Sequence, residues 1–176
     1  ALPISDLTFS PVFEERFLAV ARSGHALSGA KSVTLAQLTE HDLITTGQGT
    51  GIRDVVEGAL RDKGLDVGMP HSMTHVETVI SMVESGLGVA LLPELSLSRV
   101  DRRRIDIISV TEPEIVRSVG LIERKGGSPS SASTAFVALL RSNKVLDQFM
   151  GARIGDRSRR GRLHPDVGPK NGEPAA

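Results

Sequence analysis

The stretch DLITTGQGTGIRDVV, residues 42–56, passes from an apolar run through a small, glycine- and hydroxyl-rich bend into the first turns of a helix. Leu43 to Thr46 reads as a strand. From residue 51 to 63 the apolar positions Ile52, Val55, Val56, Ala59 and Leu60 fall at i, i+3, i+4, i+7 and i+8, one face of a helix. Gly64 is its expected stop. The bend itself packs three glycines and three threonines into TTGQGTG, residues 45–51. Backbone of that kind is shaped around something, and helix starts hold anions best.

Working outward, ERFLAVA from Glu15 to Ala21 reads as a strand, and TLAQL as a short helix over Leu35 to Thr39 with Thr34 as N-cap. VGMPHSM supplies a further strand. The helix THVETVISMVESG follows, with Thr74 as cap, Val76, Val79, Ile80 and Val83 on one stripe, and Gly86 at its end. LGVALLP is a continuous apolar strand of the kind buried on both faces, Pro93 opens a short helix in PELSLSR, and RIDIISV is a strand after the solvated turn VDRRR. Strand and helix therefore alternate from 42 to 110, the signature of a mostly parallel sheet with helices on both faces. VRSVGLIE, residues 116–123, is one more strand. The run 128–146 is an amphipathic helix expected to turn Ala135, Phe136, Leu139 and Leu140 inward. After Met150 the text is rich in Gly, Pro and Arg without apolar periodicity, and a disordered tail is expected.

Composition narrows the function. Hydrophobic residues make up 39% of the 176, with five Phe and neither Tyr nor Trp, so the core is aliphatic, which favours α/β over an aromatic-rich sandwich. Lys plus Arg equals Asp plus Glu at 21 each, so no global field draws the chain to nucleic acid or a membrane. DRRR and RSRRGR read as a solvated turn and tail. The absence of cysteine excludes disulfides, thiolate catalysis and cysteine-held metals. No leader pattern is visible at the N-terminus, and no apolar run approaches the roughly 20 residues of a membrane span. The expected location is cytoplasmic.

Enzymatic readings of the bend fail on spelling. After Gly47 and Gly49, the small residue a dinucleotide fingerprint needs falls on Ile52. No lysine lies between Lys31 and Lys63 to complete a phosphate loop. A nucleophile elbow around Ser85 would need glycine where Val83 stands. His71 and His75 are expected on a strand and at a helix start, so they do not share a face as zinc ligands would. Neither catalysis, metal nor cofactor is expected. What survives is non-covalent: backbone N–H groups from Gly51 on, with Thr46, Gln48 and Thr50 around them, would hold a carboxylate or sulfate-like anion. Thr74 and His75 would form a second corner, because both helix starts lie at the carboxyl ends of parallel strands. Arg53 is a further candidate. The plainer roles are that Thr50 and Thr74 only cap helices, that Arg53 pairs with Glu57, and that His75 is solvated.

The order of HALSGAKSVTLAQLTEHDLIT, GTGIRDVVEGALRDKGL, THVETVISMVESGLGVALLPE and VGLIERKGGSPSSASTAFVALLR resembles the effector-binding region of LysR-type transcriptional regulators over about residues 12–142. VISMVESGLGVALLPE is its sharpest element. The resemblance implies a periplasmic-binding-protein-like (type 2) fold of two α/β lobes, with a small effector between them, which the helix starts above would make anionic, transcription as the output, and a homo-oligomer in the full-length protein. It places a partial first lobe and crossover at 1–31, the complete second lobe at 32–110, a return crossover and first-lobe helix at 111–149, and the tail at 150–176. ERFLAVARS would belong to the first lobe. Family members closest in the bend hold sulfur-containing anions through such threonines. The family's helix-turn-helix and the opening strands of its first lobe have no counterpart in this sequence, so it reads as a fragment or the product of an alternative start, unable alone to bind operator DNA. The alternative is a solute-binding protein of a transport system.

Overall fold

The structure, a computed structural model, describes residues 6–141. The strands are β1 (Leu7–Arg22), β2 (Ser32–Thr34), β3 (Leu43–Thr46), β4 (His71–Met73), β5 (Val89–Pro93), β6 (Ile105–Thr111) and β7 (Val116–Arg124). The helices are α1 (Leu35–Leu38), α2 (Gly51–Asp62), α3 (Val76–Glu84) and α4 (Ser131–Arg141), with a 3-10 turn at Glu94–Leu97. The chain divides into two compact units, one of residues 15–117 and one whose described residues are 6–14 and 118–141.

In the larger unit the strand order is β2-β6-β1-β5-β3-β4. The β3–β4 and β3–β5 pairs are parallel, as the alternation predicts, and β2, a strand the sequence reading did not include, pairs in parallel with β6. The central strand is the exception. Residues 17–22 of β1 run antiparallel to both neighbours, with Phe17 opposite Pro93 and Ala19 opposite both Leu91 and Ile108. This corrects the placing of Glu15–Ala21 outside the 32–110 unit: bonded on both sides, this segment cannot be separated from β5 and β6.

Strand alternation splits the core. Phe17, Ala19, Ala21, Leu43, Val89 and Leu91 share one cluster with Leu35 and Leu38 of α1 and Val56 and Leu60 of α2. The alternate residues Leu18, Val20, Ile44, Ala90 and Leu92 are equally buried on the other face, where α3 packs on β3, β4 and β5 through Val79 and Val83. Both long helices end as expected. Gly64 and Gly86 take positive φ (67° and 80°), and Leu65 and Leu87 donate their N–H groups back to Leu60 and Met82. The strand expected over 67–73 shrinks to His71–Met73, because only Ile44 to Thr46 offers it a partner.

In the smaller unit β7 pairs with β1. The approach is close: a Cβ on Gly120 would lie 2.3 Å from the Ser10 carbonyl oxygen. The expectation for α4 needs correction. Phe136 and Leu139 are 56% and 53% exposed, Ala135 is exposed, and only Val137 and Leu140 are partly covered. The described residues of this unit supply two strand segments and one helix, too little surface to bury that apolar stripe. The end of the helix predicted to 146 and the predicted tail lie outside the described residues.

His25 and His41 meet edge to face at 4.7 Å between ring centroids, beside the start of β3. His25 Nδ1 accepts the Leu27 N–H at 3.2 Å, so protonation there must break that bond. Partial burial first, and His41 second, hold the His25 imidazole below its ordinary pKa. The sign follows: stability from neutral His25 is complete above the ordinary imidazole value and is lost as pH falls through the lowered one. An NMR titration should find His25 titrating below a free imidazole, and His41→Gln should move it back up.

Two glycines make opposite predictions for urea unfolding. Gly58 lies inside α2 with nothing within 4 Å of an added Cβ, so Gly58→Ala should stabilise by about 0.5–1 kcal/mol. On Gly88 a Cβ would meet the Asp42 carbonyl oxygen at 2.2 Å, so Gly88→Ala should destabilise by about 1–3 kcal/mol.

Candidate functional site

Parallel pairing of β3 with β4 sends two connections off the same sheet edge. Thr46 is the register partner of Met73, and the Gly47 N–H extends the ladder to the Met73 carbonyl at 3.0 Å. The bend then runs into α2 and the other connection into α3, so the helices begin at one carboxyl edge on opposite faces of the sheet. Gly49 takes φ +77° at the tip of the bend, a turn that a residue with a Cβ resists.

Thr46 is buried at 2% exposure, and its Oγ1 lies 2.6 Å from Thr50 Oγ1. Proton accounting settles the direction. Thr50 has one hydroxyl hydrogen and gives it to the Gly47 carbonyl at 2.8 Å, while Thr50 Oγ1 accepts the Arg53 N–H at 3.3 Å. Thr46 is therefore the donor to Thr50. Thr50 is the N-cap of α2, as expected, and its carbonyl accepts the Asp54 N–H at 3.0 Å. Gly51 and Ile52 precede any intrahelical acceptor, so their N–H groups remain directed out of the helix start. Arg53 leans the other way: its Nε donates to Glu57 Oε1 at 2.6 Å, the pairing that sequence spacing allowed. Gln48 is exposed on the same bend.

The second corner differs from expectation. Thr74 does not cap α3; His75 occupies the N-cap in extended conformation (φ −118°, ψ 141°) and makes no side-chain cap hydrogen bond. The helix starts one residue later than a threonine cap requires. Thr74 and His75 are both exposed, and the first N–H groups of α3 are left without a side-chain acceptor from the cap. Thr46, Thr50, Gly51 and Arg53 are thus gathered within one turn, Gln48 stands beside them, and Thr74 and His75 lie across the β4 edge.

Two features escape a reading of the sequence. Thr45 is buried, and its Oγ1 has no hydrogen-bond partner among the described residues. A charge cluster also sits where the antiparallel β1 passes the end of β5. Glu15, 1% exposed, accepts the Leu95 N–H at 3.0 Å and the Arg117 Nε–H at 2.9 Å, and Arg117 stacks 5.4 Å over the Phe17 ring. Glu94, 5% exposed, accepts from Arg16. Its only trace in the sequence is a pair of charges, Glu15 and Arg16, opening an apolar strand. By contrast DRRR is the solvated turn expected: Arg103 folds back on Asp101, and its hydrogen bonds hold that carboxyl down to about 2.

Thr50→Ala removes the α2 cap and strands the Thr46 hydroxyl, and should cost about 1–2 kcal/mol in urea unfolding. Thr50→Ser, which keeps the oxygen, should cost less than half of that.

Among the described residues no helix is long and apolar enough to cross a membrane. Solved structures share the fold: the effector binding domain of QuiR in complex with shikimate (TM-score 0.68, 17% identity, 80% of this chain and 66% of that one) and the Synechocystis PCC6803 CcmR regulatory domain in complex with 2-PG (TM-score 0.70, 22% identity, 80% and 68%). These domains have the periplasmic-binding-protein-like type 2 fold, which this chain therefore takes. Among curated proteins, the HTH-type transcriptional regulator YbhD of Escherichia coli K12 is 32% identical over 136 residues, 77% of this chain but 43% of YbhD. The chain spans less than half the length of that relative. The family model of the LysR substrate binding domain matches residues 1–144, and the chain belongs to that family, the effector-binding part of LysR-type regulators.

Proposed function

We propose that this chain senses a small anionic metabolite, a carboxylate, sulfonate or sulfate-like group, at the carboxyl edge of β3 and β4. The carrying observation is the pair of helix starts, α2 and α3, that leave adjacent parallel strands with N–H groups unclaimed by side chains. An anion above Gly51 accepts from the Gly51 and Ile52 N–H groups, with Gln48 beside it. The Thr46 hydroxyl, now turned to Thr50, rotates to become a further donor. Thr74, His75 and the start of α3 supply the second corner. Arg53 serves mainly through Glu57, stiffening the first turns of α2. Shikimate in QuiR bears a carboxylate, which agrees with a site built from neutral N–H and O–H donors.

In the whole protein, occupancy is read out as transcription through a DNA-binding region outside this chain, most simply in a homo-oligomer. The effector acts only as far as it binds one conformation more tightly than another. A thermal-shift screen of small carboxylates, sulfonates and sulfate tests the reading. A true effector at 100 times its Kd adds roughly 2.7 kcal/mol of stability, and Thr46→Val should weaken that gain. A panel in which no anion raises the melting point at millimolar concentration overturns it.

A further inference from the structure

We propose that the Nη1 edge of Arg16 is a second anion-binding contact at this sheet edge, for which Glu114 is a built-in competitor; this rests on the reading of a small anionic effector. Arg16 precedes Phe17, whose register partner Pro93 is the last residue of β5. Since β5 is parallel to β3, Arg16 stands off the same carboxyl edge as Thr46. Only β5 separates β1 from β3, so the two backbones are roughly 10 Å apart.

A guanidinium has two usable edges. Buried Glu94 takes one, accepting from Arg16 Nε at 3.3 Å and from Nη2 at 3.3 and 3.4 Å. The plane is thereby oriented, and the other edge is left outside that pairing, on a side chain 21% exposed. Among the described residues Nη1 meets only Glu114, at 4.0 Å, beyond hydrogen-bond range and with the Glu114 side chain 49% exposed. The remaining charges of the cluster are committed, since Glu15 is bound tightly by Arg117 at 2.8 Å. Arg53 and Arg103 are paired at 2.6 and 2.9 Å with Glu57 and Asp101, and Arg104, 3.8 Å from Glu84, is an exposed side chain with no carboxylate among the described residues orienting its plane at hydrogen-bond distance. Arg16 is distinguished by an oriented and incompletely satisfied donor edge. A carboxylate or sulfate oxygen would complete it with charge-assisted hydrogen bonds, displacing the half-solvated Glu114 and leaving Glu94 paired. Because three carboxylates face two guanidinium groups here, Glu114 sets the threshold the incoming anion must exceed.

The test is an NMR titration of the chain with sodium sulfate and, separately, sodium acetate at constant ionic strength, following the Arg16 guanidinium Nε–H and the Gly51 and Ile52 amides. Saturable movement of the Arg16 signal is expected. Glu114→Gln should tighten the apparent Kd roughly fivefold by removing a like charge. Arg16→Lys, which keeps a cation for Glu94 but has no second edge, should weaken it about tenfold. Glu114 is exposed, so its variant keeps the test decisive even where Arg16→Lys fails to fold. An Arg16 signal that stays fixed, or an affinity unchanged by Glu114→Gln, overturns the inference. Movement of Gly51 and Ile52 without Arg16 sinks this contact and leaves the α2 site standing; the reverse pattern sinks the α2 site alone.

Discussion

Residues Phe17 to Arg22 hold the larger unit together from its middle, hydrogen-bonded on one side to β5 and on the other to β6. Each face of this segment meets a separate layer: Phe17, Ala19 and Ala21 join the cluster under α1 and α2, while Leu18 and Val20 are buried on the face that carries α3. A strand bonded on both edges and covered on both faces leaves its neighbours no freedom of register. It fixes β5 in place, and the parallel pairing of β5 with β3 and of β3 with β4 then builds out to the shared edge from which the two candidate ligand corners emerge.

The same antiparallel direction explains the charge cluster. Because β1 runs against β5, its incoming end arrives where β5 leaves, bringing Glu15 and Arg16 beside Leu95 and Glu94. A carboxylate buried to 1% exposure must be paired and hydrogen-bonded, and Glu15 is both, through Arg117 and the Leu95 N–H. These residues mark the bounds of the compact unit, which runs from Glu15 to Arg117. The unit is therefore closed by an ion pair between its own first and last residues.

At the bend, structure and candidate function compete for the same protons. Thr50 is saturated as a cap, and Thr46 spends its hydrogen on Thr50. In the free protein the threonines thus stabilise α2 and shape the bend, while the backbone N–H groups stay outward. An anion of the proposed kind would have one hydroxyl to turn, and no helix to build.

How far the residues spoke for themselves depended on range. Local signals were sufficient for β3, for α2 from Gly51 with Thr50 as its cap, for the glycine stops at 64 and 86, and for Thr34 as the cap of α1. Each is decided within one or two turns of chain, by side-chain periodicity, by φ preference or by a hydroxyl within reach of its own backbone. The resemblance to LysR-type regulators was legible too, because it lies in the order of those local elements. Tertiary structure alone decided the direction and place of β1, the start of α3 at His75 rather than Thr74, the exposure of Phe136 and Leu139, and the meeting of Glu15 with Arg117, 102 residues away. Those outcomes turn on which surface is left to pair or to bury after the sheet has assembled, a quantity that no window of neighbouring residues contains.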